Sequence, residues 1–455
     1  MIGTMTLSLL AEELKTEFHE QDVMFSRLST DTRSLAKGDL YLALVGHNFN
    51  GNDFIAQAEK KEACAAIVSE NITSKLPLLR VVDTHKALGV IASLNRRRSK
   101  AKVIALTGSQ GKTTVKEMTG AILNVRANCL ITEANLNNTI GVPLTLLKIS
   151  EDHEFVVVEM GANSAGEISY SAKITQPDLA LITNAGAAHV EGFGSLQGIV
   201  SAKGEIIDGL SDTGVLILNG DDAHIADWMR RAGSKRIVQF SYANEKGDSA
   251  YYAKNVETLP GGITRFDLFT PIGDRIITSN FLGKHNVVNV VAAAAAAIEV
   301  GASLEEVALG LNNLPPVKGR LCPLAGINGS ILIDDSYNAS PNSFRAAIDV
   351  LMSFPGRKIL LAGEMKELGS DTNSAHVSVG EYAANLGIDE LWATGEFCRL
   401  MVDAFAGKGK YFSSKTELIN AAKLAANTDI VFLVKGSRGA KMDTVVNALT
   451  DGEEI

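Results

Sequence analysis

Between Val103 and Val115 the chain reads VIALTGSQGKTTV, a set of residue types whose spacing suits it to hold a polyphosphate. Apolar residues rise to Thr107 as a buried strand would. The loop Gly108-Ser109-Gln110-Gly111 then turns tightly enough, through its two glycines, for backbone N–H groups to converge on an oxyanion. Lys112 is placed to reach the outer phosphates as a point charge. Thr113, followed by Thr114, offers a hydroxyl to a magnesium ion at the mouth of a helix predicted over Val115–Val125, whose N-terminus favours anions. The general pattern Gly-x-x-x-x-Gly-Lys-[Ser/Thr] has Leu106 in place of its first glycine, so this is a shortened variant. The plainer alternative is a strand–turn–helix with a surface lysine. An apolar strand before the loop and a helix after it favour nucleotide binding.

Other chemistry-bearing residues follow strands. Phe155–Val158 leads into Glu159-Met160-Gly161, where an acid can hold magnesium against phosphates; the alternative is an acid capping the turn at Gly161. Leu179–Thr183 leads into Asn184-Ala185-Gly186, and His189 comes just after. On spacing alone, metal ligand and structural histidine are both open for His189. Lys203 and Glu205 fall on a helix beginning near Ser195, with a surface pair as the default reading. Asn286 and Asn289 open an Ala-rich helix and can read an adenine edge or cap the helix. In Asp334-Asp335-Ser336-Tyr337-Asn338 one Asp can accept from a ribose hydroxyl. The string Ser29-Thr30-Asp31-Thr32-Arg33 reads first as a capped turn.

The elements needed to position these groups form an α/β chain of three domains. Residues 1–100 alternate short helices and strands, with Asp39–Val45, Ala65–Ser69 and Leu79–Val82 as strands and Ala56–Ala63 as a helix. Residues 101–314 continue the strand–helix alternation of a parallel sheet with helices on both faces, so a nucleotide lies at the carboxyl ends of its strands. Pieces around Ile263–Phe269 and Arg275–Phe281 read as hairpins, and helix Val287–Val300 must be buried on most of its surface. After Pro315-Pro316, residues 315–455 repeat the rhythm as a Rossmann-like domain. Its strands are expected at Ile331–Asp334, Lys358–Ala362, Glu390–Ala393 and Asp429–Val434, and Ser340-Pro341 starts a helix. This domain has no GxGxxG motif, which argues against NAD.

Composition sets the outer limits. The chain has 455 residues, 46% hydrophobic content and 10 prolines, enough for several separate cores. Its net charge is 43 − 52 = −9, which argues against a generic nucleic-acid binder. The basic run Arg96-Arg97-Arg98 reads as a solvated helix end rather than a binding patch. Cys64, Cys129, Cys322 and Cys398 lack paired spacing, which fits reduced thiols. With no eighteen-residue apolar run and no export signal at the N-terminus, the expectation is a cytoplasmic protein with no membrane span.

Nine segments stand in an order known from one family. They are TGSQGKTT from Thr107, TEANLNNTIGVPLTLL from Thr132, EMGANSAGEI from Glu159, AAHVEGFGS from Ala187, AKGEI from Ala202, GKHNVVN from Gly283, KGRL from Lys318, DDSYNASPNS from Asp334 and GEMKELG from Gly363. Across essentially its whole length the chain resembles the Mur ligases. Their pattern has His after GAN and Asn before the proline of SYNAxP, where this chain has Ser164 and Ser340; neither is assigned to phosphate or metal. The resemblance implies an ATP- and Mg2+-dependent ligase joining D-alanyl-D-alanine to a UDP-N-acetylmuramoyl-tripeptide through an acyl phosphate. It implies that Thr113 and Glu159 hold one ion, that His189 and a carbamylated Lys203 hold a second, and that Asn286, Asn289, Arg320 and Asp335 clamp ATP. Ser29, Asp31, Arg33, Asn135, Asn137 and Asn138 are implied on the UDP-sugar-peptide side. The third domain is expected to close over ATP and bind the dipeptide, and the chain to act as a monomer. The rival readings are a sister ligase adding one amino acid, a folylpolyglutamate synthetase, and an ATP-binding regulator.

Overall fold

Three sheets organise the computed structural model, which describes residues 1–46, 48–186, 190–244, 247–259, 263–405 and 407–450. The first sheet is parallel and four-stranded, in the order Leu28–Ser29, Leu40–Leu42, Ala65–Val68, Leu78–Arg80. The strand expected over Asp39–Val45 is shorter, and the helix expected over Ala56–Ala63 begins as a 3-10 turn at Gly51–Phe54 and continues as Ile55–Lys60.

The second sheet has nine strands. Their order is Cys129–Ile131, Phe155–Glu159, Lys102–Thr107, Leu179–Ile182, Val215–Asn219, Arg236–Ser241, Tyr251–Thr258, Thr264–Thr270 and Gly273–Ser279. The first seven run parallel and the last two are added antiparallel, forming the expected hairpin. Alternation along the central strands supplies both faces, as a period of two requires. Val103, Ala105, Val156 and Val158 join a core shared with the first domain, while Ile104, Leu106, Phe155 and Val157 join one built on the Ala-rich helix. That helix, Lys284–Glu299, is buried almost without interruption from Val287 to Ile298, its alanines allowing close approach of the helix Lys112–Arg126.

The third sheet runs Cys322–Ala325, Ile331–Asp335, Ile430–Lys435, Arg357–Gly363, Glu390–Thr394, Gly409–Phe412, with only the first pair antiparallel. Its core reaches back into the central part of the chain through Leu282, buried among Ile333, Phe344 and Val350. Helix Pro341–Met352 starts as its sequence demands: Ser340 accepts from the Ser343 N–H, Ser343 reciprocates, and proline fills the first turn. Ser340→Ala is expected to cost about 1 kcal/mol, read as a lower midpoint for the C-terminal transition in a denaturant melt.

One expectation is corrected at the junction of the first two sheets. Arg97 and Arg98 stay exposed at the helix end as expected, but Arg96 is largely withdrawn from solvent. Arg96 donates to the carbonyls of Thr175 and Gln176 and to Asp178 at 3.1 Å, Arg97 pairs with Glu13, and Arg98 donates to the Thr4 carbonyl. Beside them Asn95, fully buried, donates to the carbonyls of Leu146 and Ile149 and accepts from the Ile2 N–H. The end of helix Thr84–Arg98 is therefore a polar staple at the edge of the core that the first two sheets share.

Candidate active site

At the carboxyl ends of the central strands lies a cavity of about 460 Å³, walled on one side by the P-loop and on the other by the third sheet's loops. Gly108 and Gly111 have φ of +153° and +81°, and each is pressed against a neighbour: an added Cβ would meet Thr183 Oγ1 at 1.9 Å or Asn289 Oδ1 at 2.5 Å. Glycine is required here by conformation and by space together. The loop is braced by the strand end beside it. Thr183 Oγ1 donates to the Gln110 carbonyl at 2.6 Å, Gln110 N–H donates to Asn184 Oδ1, and Ser109 exchanges hydrogen bonds with Gly186. The helix that follows begins at Lys112, three residues earlier than expected. Lys112 Nζ folds back on the Gly108 carbonyl at 2.7 Å. Burial pushes its pKa below the usual lysine range and nearby Arg320 adds to this, while Glu159 opposes it.

Glu159, 2% exposed at the end of its strand, lines the same cavity. Its Oε1 accepts from Asn137 Nδ2 at 2.7 Å, whereas Oε2 is buried with no hydrogen-bond partner among the described residues. An orphaned carboxylate oxygen costs free energy unless something cationic meets it. Among the described residues no three His, Cys, Asp or Glu side chains cluster tightly enough to hold an ion by themselves. One carboxylate, the Thr113 hydroxyl and substrate phosphates make the oxygen-rich, incomplete protein set that suits Mg2+. The residues present fit that ion.

Lys203 is 3% exposed in the cavity wall, its Nζ 5.4 Å from the centroid of the Phe193 ring. Desolvation, then the charge of Lys112, brings its pKa down to about 7 against the pull of Glu205 and Glu167. The surface pair expected for Lys203 and Glu205 is not what forms. Glu205 is buried and accepts from the N–H groups of Gly166 and Ser169, satisfying the exposed donors at the start of helix Glu167–Thr175. His189 lies outside the described residues.

The remaining candidates divide between the cavity and elsewhere. Ser109, Gln110, Thr113, Thr114, Asn135, Asn137, Asn138, Asn286, Asn289, Arg320 and Asp335 all line it. Asn138 Oδ1 also accepts from the Ile140 and Gly141 N–H groups at the start of helix Gly141–Leu147, and Asn289 donates to Asn286 Oδ1. Of the three asparagines Asn135, Asn137 and Asn138, Asn137 bonds Glu159. Ser29, Asp31 and Arg33 do not line the cavity; there Ser29 donates to the Asp31 carbonyl and Arg33 grips the Asp31 carboxylate in a local turn.

From the third sheet, Asp335 is held on Lys435 at 2.6 Å, buried, directly opposite it in register, and Arg320 lies over the Tyr337 ring at 4.2 Å. Gln110 Nε2 reaches Ser340 Oγ at 3.1 Å, joining the P-loop to the N-cap of the facing helix. Lys366, Ser437 and Arg438 complete this wall, and Ser437 Oγ is buried without a partner. Of these, Lys366 falls in the segment GEMKELG. The position of Lys435 opposite Asp335 depends on the pairing of strands a hundred residues apart.

A P-loop opposed by an unsatisfied acid and closed by a second α/β unit defines an enzyme that turns ATP over against another substrate. Residues 25–96 match the model "Mur ligase family, catalytic domain", 106–297 the "Mur ligase middle domain" and 319–438 the "Mur ligase, glutamate ligase domain". The chain is 43% identical to the UDP-N-acetylmuramoyl-tripeptide–D-alanyl-D-alanine ligase of Escherichia coli (strain K12), over 98% of this chain and 99% of that one. Among solved structures it is similar to MurF from Acinetobacter baumannii, with a TM-score of 0.91 at 37% identity over 98% of both chains. It is also similar to MurF ligase from Thermotoga maritima in complex with ADP, with a TM-score of 0.84 at 25% identity over 93% and 96%. The chain belongs to the Mur ligase family, as an ATP-dependent ligase that forms amide bonds.

Proposed function

We propose that the chain joins D-alanyl-D-alanine to a UDP-N-acetylmuramoyl-tripeptide in peptidoglycan precursor synthesis, releasing ADP and phosphate. The reaction class rests on one observation: P-loop, Glu159, Lys203, Arg320 and Asp335 converge on a single cavity. The substrates rest on the names of relatives aligned over nearly the whole chain. That likeness favours the dipeptide over a single amino acid, and the buried oxygen of Glu159 favours catalysis over a passive ATP-binding role.

A carboxylate is a poor electrophile towards an amine. In the proposed sequence one oxygen of the tripeptide's terminal carboxylate attacks the γ-phosphorus of ATP and ADP leaves. The dipeptide amine then attacks the acyl carbon, and phosphate leaves carrying that carboxylate oxygen. Two anions must meet in the first step. Lys112 and the N–H groups of Gly108–Thr114 offset the repulsion, and Asn286, Asn289, Arg320 and Asp335 fix the nucleotide. Mg2+, held by Glu159 and Thr113, would neutralise phosphate charge, and a second ion would be held by His189 and a carbamylated Lys203. Residues 1–100, with Ser29, Asp31 and Arg33, take the UDP-sugar end; residues 101–314 hold ATP; residues 315–455 close the site and carry the dipeptide.

For the dipeptide's carboxylate we favour the wall formed by Lys366, Ser437 and Arg438, where Ser437 offers a buried hydroxyl that has no other partner. Ser437→Ala is expected to raise the dipeptide KM about tenfold, with the ATP KM unchanged. An unchanged dipeptide KM would remove Ser437 from the site. No helix among the described residues is long and apolar enough to cross a membrane. Four free cysteines suit the reducing cytoplasm, where we place the chain as a monomer. The chemistry is tested with tripeptide labelled with 18O in its terminal carboxylate. The proposal requires one labelled oxygen to appear in the inorganic phosphate, and unlabelled phosphate would exclude the acyl phosphate.

A further inference from the structure

Lys116 is fully buried, although it lies on the helix that follows the P-loop, one turn beyond Lys112. A charged ammonium in a core is costly unless it is paired and hydrogen-bonded. Here Nζ donates to the Thr132 carbonyl at 2.7 Å and meets the Glu117 carboxylate at 2.9 Å. Thr132 is itself fully buried, and it closes the ladder beyond strand Cys129–Ile131 by donating its N–H to the Val157 carbonyl.

From Thr132 two connections lead to Glu159. Its Oγ1 accepts from the Glu159 N–H at 3.0 Å, so the backbone of the acid is fixed there. The loop that leaves Thr132 returns at Asn137, whose side chain donates to Glu159 Oε1 at 2.7 Å and whose carbonyl accepts from the Gly161 N–H at 2.8 Å. The Asn137 side chain packs closely over Gly161, where an added Cβ would meet it at 2.9 Å. Glu159 is therefore held on its backbone and on one oxygen, which leaves Oε2 as the atom without a partner.

We infer that Lys116 is a positioning residue for this reaction, tying the phosphate-binding helix to the Thr132–Asn138 loop so that the free oxygen of Glu159 is aimed at the ion on ATP. The inference rests on the proposed role of Glu159. An apolar residue would fill the space but leave the Thr132 carbonyl buried and unmet. The sequence does carry a trace of the arrangement, because position 116 falls among Val115, Thr119, Ile122 and Leu123 on the buried side of the helix.

The test is calorimetric binding of a non-hydrolysable ATP analogue, with and without Mg2+, to the full chain and to Glu159→Gln, Lys116→Met and Thr132→Val. In the unaltered protein Mg2+ should tighten binding, and Glu159→Gln should lose that gain. Lys116→Met and Thr132→Val should bind the metal-free analogue as the unaltered protein does while losing fivefold or more of the gain. Packing damage alone would lower the melting temperature and the active fraction without touching the metal-dependent increment. If Glu159→Gln keeps the gain, the role of Glu159 is wrong. If Glu159→Gln loses it while Lys116→Met and Thr132→Val both keep it, Lys116 has no positioning role. Should Lys116→Met fail to fold, Thr132→Val decides: a full Mg2+ gain in that variant overturns the inference.

Discussion

Lys112→Ala is expected to lower turnover by about a thousandfold or more, the scale for removing a preorganised charge from a desolvated transition state, while leaving the melting temperature nearly unchanged. The second half follows from its contacts. Among the described residues Nζ hydrogen-bonds the Gly108 carbonyl of its own loop, and the loop is held independently by Thr183 and Asn184. The first half follows from its surroundings, since burial outweighs the pull of Glu159 on the ammonium, Arg320 adds to the effect of burial, and an incoming phosphate brings further negative charge to it. Steady-state ADP release beside a thermal melt reads both. A folded variant within tenfold of the unaltered rate would contradict the phosphate-cradle assignment.

Lys203→Ala is expected to lose nearly all activity, and acetate, though not a small amine, is expected to restore part of it. An ammonium here, beside Lys112 in a desolvated wall, would oppose a metal ion. A carbamate reverses the charge and presents two hard oxygen donors. Only the neutral amine reacts with carbon dioxide, and a pKa of about 7 makes that form abundant at neutral pH, which the ordinary lysine value of 10.5 would not. Between about 7 and 10.5 the unfolded chain carries more protons at this site than the folded one, so stability should rise with pH across that window and be lowest below it. In Lys203→Met this contribution to the rise should vanish, which thermal melts from pH 6.5 to 9 can read. Rescue by amines but not acids would leave Lys203 in the cavity as a phosphate-binding cation.

Much of the scaffold was legible because its signals are local. The glycines, Lys112 and Thr113 stand within six residues, and Ser340-Pro341 announces its own helix. The unbroken apolar runs Val103–Leu106 and Phe155–Val158 announce strands buried on both faces. What escaped depends on chain meeting chain. Glu205 was read as half of a surface pair because nothing nearby in sequence shows that it satisfies a helix start 36 residues away. Arg96 looked solvated because its carbonyl partners lie about eighty residues on. Strand Tyr251–Thr258 was missed for a local reason: its register shifts between Lys254 and Glu257, with Asn255 at φ +51°, so the expected alternation breaks in the middle. The bond from Asn137 to Glu159 joins residues 22 apart in the chain, which spacing alone does not show.

The most direct test of the central claim is mass spectrometry of the product formed from UDP-N-acetylmuramoyl-tripeptide, D-alanyl-D-alanine and Mg·ATP, with ADP followed in parallel. The account predicts one product heavier than the tripeptide by a D-alanyl-D-alanine residue, and stoichiometric ADP only when both acceptor and dipeptide are present. A product extended by a single amino acid, or ADP released at the same rate without the dipeptide, would contradict it.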